Sequence, residues 1–157
     1  LPQGKFPEIG ARIMDLQEPE RKMSTTLGTP QGTLGLLDPP DVLRKKVKGA
    51  VTDSGTDVRR GPDKAGITNL IDILAVATGE TPETIESRYD GSGYGQFKSD
   101  VAEAVVEVVA PIQERYKELR SDPGELQRLL GHGADKAREA SAPTLGLMYE
   151  RMGFVRA

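Results

Sequence analysis

Cysteine and tryptophan are both absent from the 157 residues, and histidine occurs once, at His132. The first absence excludes disulfides, thiolate metal sites and cysteine nucleophiles together. One histidine excludes a multi-histidine metal site within the chain. Aromatic residues make up 4% of the sequence, so a core has to be assembled from Leu, Val, Ile and Ala. No run approaches the apolar length needed to cross a bilayer, which predicts no membrane partner. Cationic charge does not dominate either. A net charge of −3 leaves any contact with a polyanion to local basic clusters. Lack of cysteine is compatible with a reducing cytosol, and a cytoplasmic location is the expectation.

What is present divides in two. Residues 1–37 are rich in Pro and Gly, and their single period-two signal is Ala11-Arg12-Ile13-Met14-Asp15-Leu16, which predicts one short strand leading into a loop. A lone strand cannot satisfy its own backbone groups. The expectation is therefore that it belongs to a sheet whose other strands lie outside this chain. The opening Leu1-Pro2-Gln3-Gly4-Lys5 has neither a basic n-region nor an apolar h-region, so it does not read as a signal peptide, and the chain reads as a fragment.

From residue 38 to residue 157 the pattern is helical. Asp38-Pro39-Pro40-Asp41 opens one helix, with Leu43 and Val47 at helical spacing and Arg44, Lys45, Lys46 and Lys48 as a basic surface. A strongly apolar helix follows Gly66 and ends at Gly79; Thr81-Pro82-Glu83 starts another that ends near Tyr89. Phe97, Val101, Val105, Val109 and Ile112 mark one face of a longer helix, with a kink expected at Pro111. Asp122-Pro123 predicts a short helix to Leu130, then a break at Gly131-His132-Gly133 and a last helix from Ala134. The reading is mainly α: a helical bundle behind a leftover strand and loop.

Chemistry concentrates in the loop Glu20-Arg21-Lys22-Met23-Ser24-Thr25-Thr26-Leu27-Gly28. Lys22 offers an ammonium, and Ser24, Thr25 and Thr26 offer hydroxyls; with free backbone N–H groups these can hold phosphate oxygens. The Walker pattern is absent, and on residue chemistry alone such a loop is more often a solvated connection than a phosphate site. His132 reads as a turn or helix-boundary residue, and Glu103, Glu107 and Glu114 read as a solvated helix face. Arg59 and Arg60 join the Arg44–Lys48 cluster as candidates for either solvation or a phosphate backbone. Tyr89, Tyr94 and Phe97 suit packing better than base stacking.

Gly10-Ala11-Arg12-Ile13-Met14 followed by Lys22-Met23-Ser24 resembles the late signature of the tryptophanyl-tRNA synthetases, class I enzymes with the pattern G-A-R-[IV]-M, a spacer, then K-M-S-K-S. The resemblance continues through Ala50–Gly55 (AVTDSG), Gly66–Ile73 (GITNLIDI), Tyr89–Asp100 (YDGSGYGQFKSD) and Pro111–Tyr116 (PIQERY). It implies residues 1–37 as the terminal piece of a Rossmann catalytic domain, carrying its last strand and signature loop, and 38–157 as an anticodon-binding helical domain. It further implies a tryptophan–tRNA ligase that activates tryptophan with ATP and Mg2+ and transfers it to tRNA(Trp), as a homodimer. Lys22 takes the catalytic lysine position, and Ile13, Lys22, Met23, Ser24, Thr25 and Thr26 take the ATP-binding positions. Thr25 stands where the family has a second lysine. The family's H-I-G-H signature and tryptophan pocket have no counterpart here, so the resemblance implies that these 157 residues alone are inactive. The AVTDSG and YDGSGYGQFK segments fit the tryptophan type better than the tyrosine type. The alternative is a non-catalytic helical module that binds tRNA or protein.

Overall fold

The computed structural model describes residues 3–154. Five helices follow in order: α1 Pro40–Lys48, α2 Ala65–Thr78, α3 Pro82–Arg88, α4 Gly93–Ser121 and α5 Pro123–Met152. Chain contacts divide the molecule into two compact units, Leu1–Gln113 and Glu114–Ala157.

In the first unit α2 lies at the heart of the core. Ile67, Leu70, Ile71 and Leu74 on it are all buried, against Leu43 and Val47 of α1, Ile85 of α3 and Phe97 and Val101 of α4. Burying each such side chain contributes about 1.5–3 kcal/mol of transfer free energy. Local signals set the helix ends. Gly79, with φ 77°, closes α2 in the left-handed conformation that a side chain resists. Thr81 caps α3 by accepting from the Thr84 N–H at 3.3 Å, with Pro82 in the first turn. The Tyr89 and Phe97 rings meet edge-to-face at 5.0 Å. Burial, aided by its hydrogen bond to Asp100, pushes the Tyr89 hydroxyl up to about 12. These aromatics pack rather than stack on a base.

Two expectations from sequence are corrected. No strand exists among the described residues; the 11–16 segment forms only an isolated antiparallel bridge, Met14 to Lys22. Its backbone groups are met by a side chain of α2 and by returning loop segments, so no ladder propagates. Nor does the chain break at Gly131-His132-Gly133: α5 runs unbroken through all three, with Asp122 capping it by accepting from Glu125 N–H at 2.9 Å. Each glycine costs a helix about 1 kcal/mol relative to alanine, a penalty that 30 residues of helix absorb. His132 is an exposed mid-helix residue, not a turn. Helix α4 likewise continues through Pro111. None of the side chains of α5 is buried, and Leu130, Leu147, Met148 and Met152 are exposed.

Candidate functional site

The bridge sets the geometry of the lysine-bearing loop. Asp15 N–H donates to the Arg21 carbonyl at 2.8 Å, and Met23 N–H donates to the Ile13 carbonyl at 3.0 Å. Met14 and Lys22 therefore face one another as the pair that does not exchange hydrogen bonds, and their own backbone groups point outward. On the Met14 side those groups are taken up by Asn69 of α2, which accepts from Met14 N–H and donates to Met14 O, both at 2.8 Å. Leu16 completes the root: its N–H donates to Gly32 O at 2.9 Å, and its carbonyl accepts from Val51 N–H at 2.8 Å.

Between these roots the loop organises itself. Ser24 Oγ accepts from the N–H groups of Thr26 at 3.3 Å and Leu27 at 3.2 Å. Its carbonyl accepts from Gly28 N–H at 3.0 Å and from the Thr33 hydroxyl at 3.2 Å. The Arg21 guanidinium donates to the Leu27 carbonyl at 2.7 Å and lies 3.6 Å from Glu18. Lys22, by contrast, is exposed and has no hydrogen-bond or ion-pair partner among the described residues. Thr25 and Thr26 are exposed as well, while Ile13 and Met23 are half-buried and packed against the core.

A cleft of about 310 Å3 lies beside the loop, lined by Ser24, Thr25, Thr29, Thr33, Asp38 and Lys46. At its floor Lys46 Nζ donates to Asp38 at 2.5 Å and to the Thr33 carbonyl at 2.8 Å. Burial raises the Asp38 carboxyl, but its bonds to Lys46 and to the Gly35 N–H outweigh that and leave it below its ordinary value. The basic surface of α1 is thus partly neutralised. Arg44 holds Glu103 through Nε at 2.9 Å and Nη2 at 2.9 Å, whereas Lys45 and Lys48 stay exposed. Arg60 pairs with Glu83 at 2.6 Å. Among the described residues there is no cluster of three or more metal-ligating side chains, and no helix is long and apolar enough to cross a membrane.

A profile of the tRNA synthetases class I (W and Y) matches residues 4–110. The chain belongs to that family. A tryptophan–tRNA ligase of Clostridium perfringens is 44% identical over 155 residues, which cover 99% of this chain and 47% of the relative. Tryptophanyl-tRNA synthetase from Mycoplasma pneumoniae superposes with a TM-score of 0.84 at 28% identity, over 95% of this chain and 47% of the other. The enzyme from Campylobacter jejuni, solved with ADP and tryptophan, gives a TM-score of 0.68 at 28% identity, covering 98% and 47%. The chain spans about half the length of these relatives.

The segments that identify this synthetase family in the sequence are joined to one another in space. Asn69 of GITNLIDI holds Met14 of GARIM. Asp53 of AVTDSG accepts from the Tyr94 hydroxyl of YDGSGYGQFKSD at 2.8 Å, and Lys98 of the latter donates to Ala50 O at 2.8 Å. Gln113 of PIQERY donates to the carbonyls of Leu36 at 2.9 Å and Asp38 at 2.8 Å. Sequence reasoning passed over Asn69 and Asp15 as site-forming residues. The available signal was polarity out of place: an amide inside the apolar run Ile67–Ala77, and a carboxylate beside Leu16.

Proposed function

We propose that this segment supplies the ATP-closing loop and the helical tRNA-binding part of a tryptophan–tRNA ligase. In this reading residues 1–37 complete the catalytic domain and 38–157 form the anticodon-side helical domain. Tryptophan's carboxylate attacks the α-phosphate of Mg2+-bound ATP; the new carboxyl oxygen–phosphorus bond forms as the bond to pyrophosphate breaks. Negative charge then builds on the leaving pyrophosphate, and Lys22 donates to it. A single well-aimed donor of this kind contributes about 3–4 kcal/mol to the transition state. The adenine lies against the Ile13 backbone beside Met23, while Ser24, Thr25 and Thr26 border the phosphates. The tryptophanyl group is then transferred from the adenylate to a terminal hydroxyl of tRNA(Trp), the new ester bond forming as the bond to AMP breaks, in a cytoplasmic homodimer.

One observation carries the reading: Lys22 is an exposed cation, unpaired among the described residues, on a loop whose two roots are bonded together and to α2. A lysine whose backbone is anchored while its ammonium stays uncommitted suits a phosphate that arrives and departs. The test is tryptophan-dependent exchange of pyrophosphate into ATP by the full-length enzyme, with Lys22→Ala beside it. Exchange driven by tryptophan and not tyrosine, with a kcat loss in Lys22→Ala far exceeding any change in KM for tryptophan, is the expected result. Equal losses in both parameters overturn the role of Lys22, and absent exchange overturns the ligase reading.

A further inference from the structure

We infer that Asn69 is a positioning residue for Lys22, acting through the backbone of Met14. The inference rests on the ATP-facing role of Lys22 proposed above.

Asn69 is 3% exposed and sits on the core side of α2 among Ile67, Leu70 and Ile73. An amide there is expensive unless every polar atom is used, and an aliphatic residue would pack against the same neighbours without that cost. Its carboxamide is engaged on both sides by one residue, Met14, at 2.8 Å to the N–H and 2.8 Å to the carbonyl. The side chain thus does what the next strand of a sheet would do: it satisfies the outward-facing N–H and C=O of a bridged residue. Directly across the bridge from Met14 stands Lys22. Helix α2 is anchored by the most deeply buried residues of the core, so the path from core to ammonium runs α2, Asn69, Met14, Lys22.

The rest of the loop root supports the same assignment. Ile13, next to Met14, accepts from Met23 N–H at 3.0 Å, so the amide also fixes the backbone on either side of Lys22. No sheet is available among the described residues to perform this task. Without Asn69, the Met14 N–H and carbonyl lose their partners, and the bridge is left to two hydrogen bonds at the mouth of an exposed loop.

The experiment uses the full-length enzyme with Asn69→Leu, Asn69→Asp and Lys22→Ala, singly and combined. Asn69→Leu is expected to lower kcat for pyrophosphate exchange about tenfold or more with KM for tryptophan within about twofold, and to shrink the further loss from Lys22→Ala to a small fraction of its wild-type size. Losses that simply multiply overturn the proposal, because a purely structural defect would leave the effect of Lys22→Ala intact. A second readout needs no activity. Trypsin cleavage after Arg21 and Lys22 is expected to quicken about fivefold or more in Asn69→Leu, with cleavage after Arg128 and Arg138 unchanged. Unchanged loop cleavage overturns the proposal even if the exchange assay fails, whereas absent wild-type exchange with faster loop cleavage overturns the ligase reading alone. Asn69→Asp keeps the acceptor for Met14 N–H and loses the donor to Met14 O. It carries the same comparison at smaller amplitude if Asn69→Leu does not fold.

Discussion

Asp15 and Gly32 close the two ends of the lysine-bearing loop against each other, so tightly that a Cβ at position 32 would fall inside the Asp15 carboxylate. Asp15 is 2% exposed, and its Oδ1 is held by the N–H groups of Gln17 at 2.8 Å and Glu18 at 3.2 Å, so it cannot swing aside freely. Gly32→Ala is therefore expected to destabilise the protein by about 1–3 kcal/mol, the usual cost of overpacking. Urea unfolding measures it. A midpoint equal to wild type would show that the carboxylate yields.

The opposite sign is expected in α5. Nothing lies within 4 Å of a Cβ built at Gly131 or Gly133, and both are interior helical positions. Gly131→Ala should stabilise the helix locally by about 1 kcal/mol, visible as slower amide hydrogen exchange across α5. Exchange that is unchanged or faster would mean that these glycines serve something other than the helix.

Acid should find the Asp38–Lys46 pair. The folded carboxyl titrates below its ordinary value of 3.8, so its contribution is fully present above that pH and is lost as pH falls through the lower folded value. Asp38→Asn is thus expected to be less stable than wild type at neutral pH, with the gap closing below about pH 4. Denaturant midpoints of the two proteins at a series of pH values check this. A gap constant to pH 2 would remove the ion pair as its cause. Asp53 is also lowered, since its bonds to Tyr94, Gly55 and Lys64 outweigh burial, and so some acid sensitivity persists in the variant.

Thr25 gives a functional prediction. It is exposed, and the nearby Arg21 is tied to the Leu27 carbonyl, so nothing on the loop visibly replaces the family's second lysine. In the full-length enzyme Thr25→Lys is expected to raise kcat for pyrophosphate exchange about threefold to tenfold while leaving KM for tryptophan unchanged. A fall in kcat would show that the loop works at its lower charge.

Local order in this protein was largely readable from residue type. Proline at the start of α1, α3 and α5, threonine and aspartate caps, and Gly79 after α2 act within one turn of chain, and each marked a real boundary. Two readings failed where distant contacts or sheer helix length decide. Alternating Ala11–Leu16 has the period of a strand, yet its partner is an asparagine 55 residues away from Met14 rather than a second strand. Gly131-His132-Gly133 has the composition of a turn, yet no tertiary contact draws the chain out of the helix there.

The same division holds for the candidate site. By itself the sequence determined the helical character of the part that holds Pro40 to Met152 and the family, because caps, periodicity and ordered motifs are carried by neighbouring residues. It also marked Lys22 as the cation of interest. Tertiary structure alone decided that Arg21 and Lys46 are engaged while Lys22 has no partner among the described residues, that Asp15 closes the loop on Gly32, and that Asn69 holds the bridge. The last joins groups 55 residues apart, and even the nearer pairs form only because the intervening chain folds back on itself. Their strength depends on distance and burial, and no local pattern encodes either.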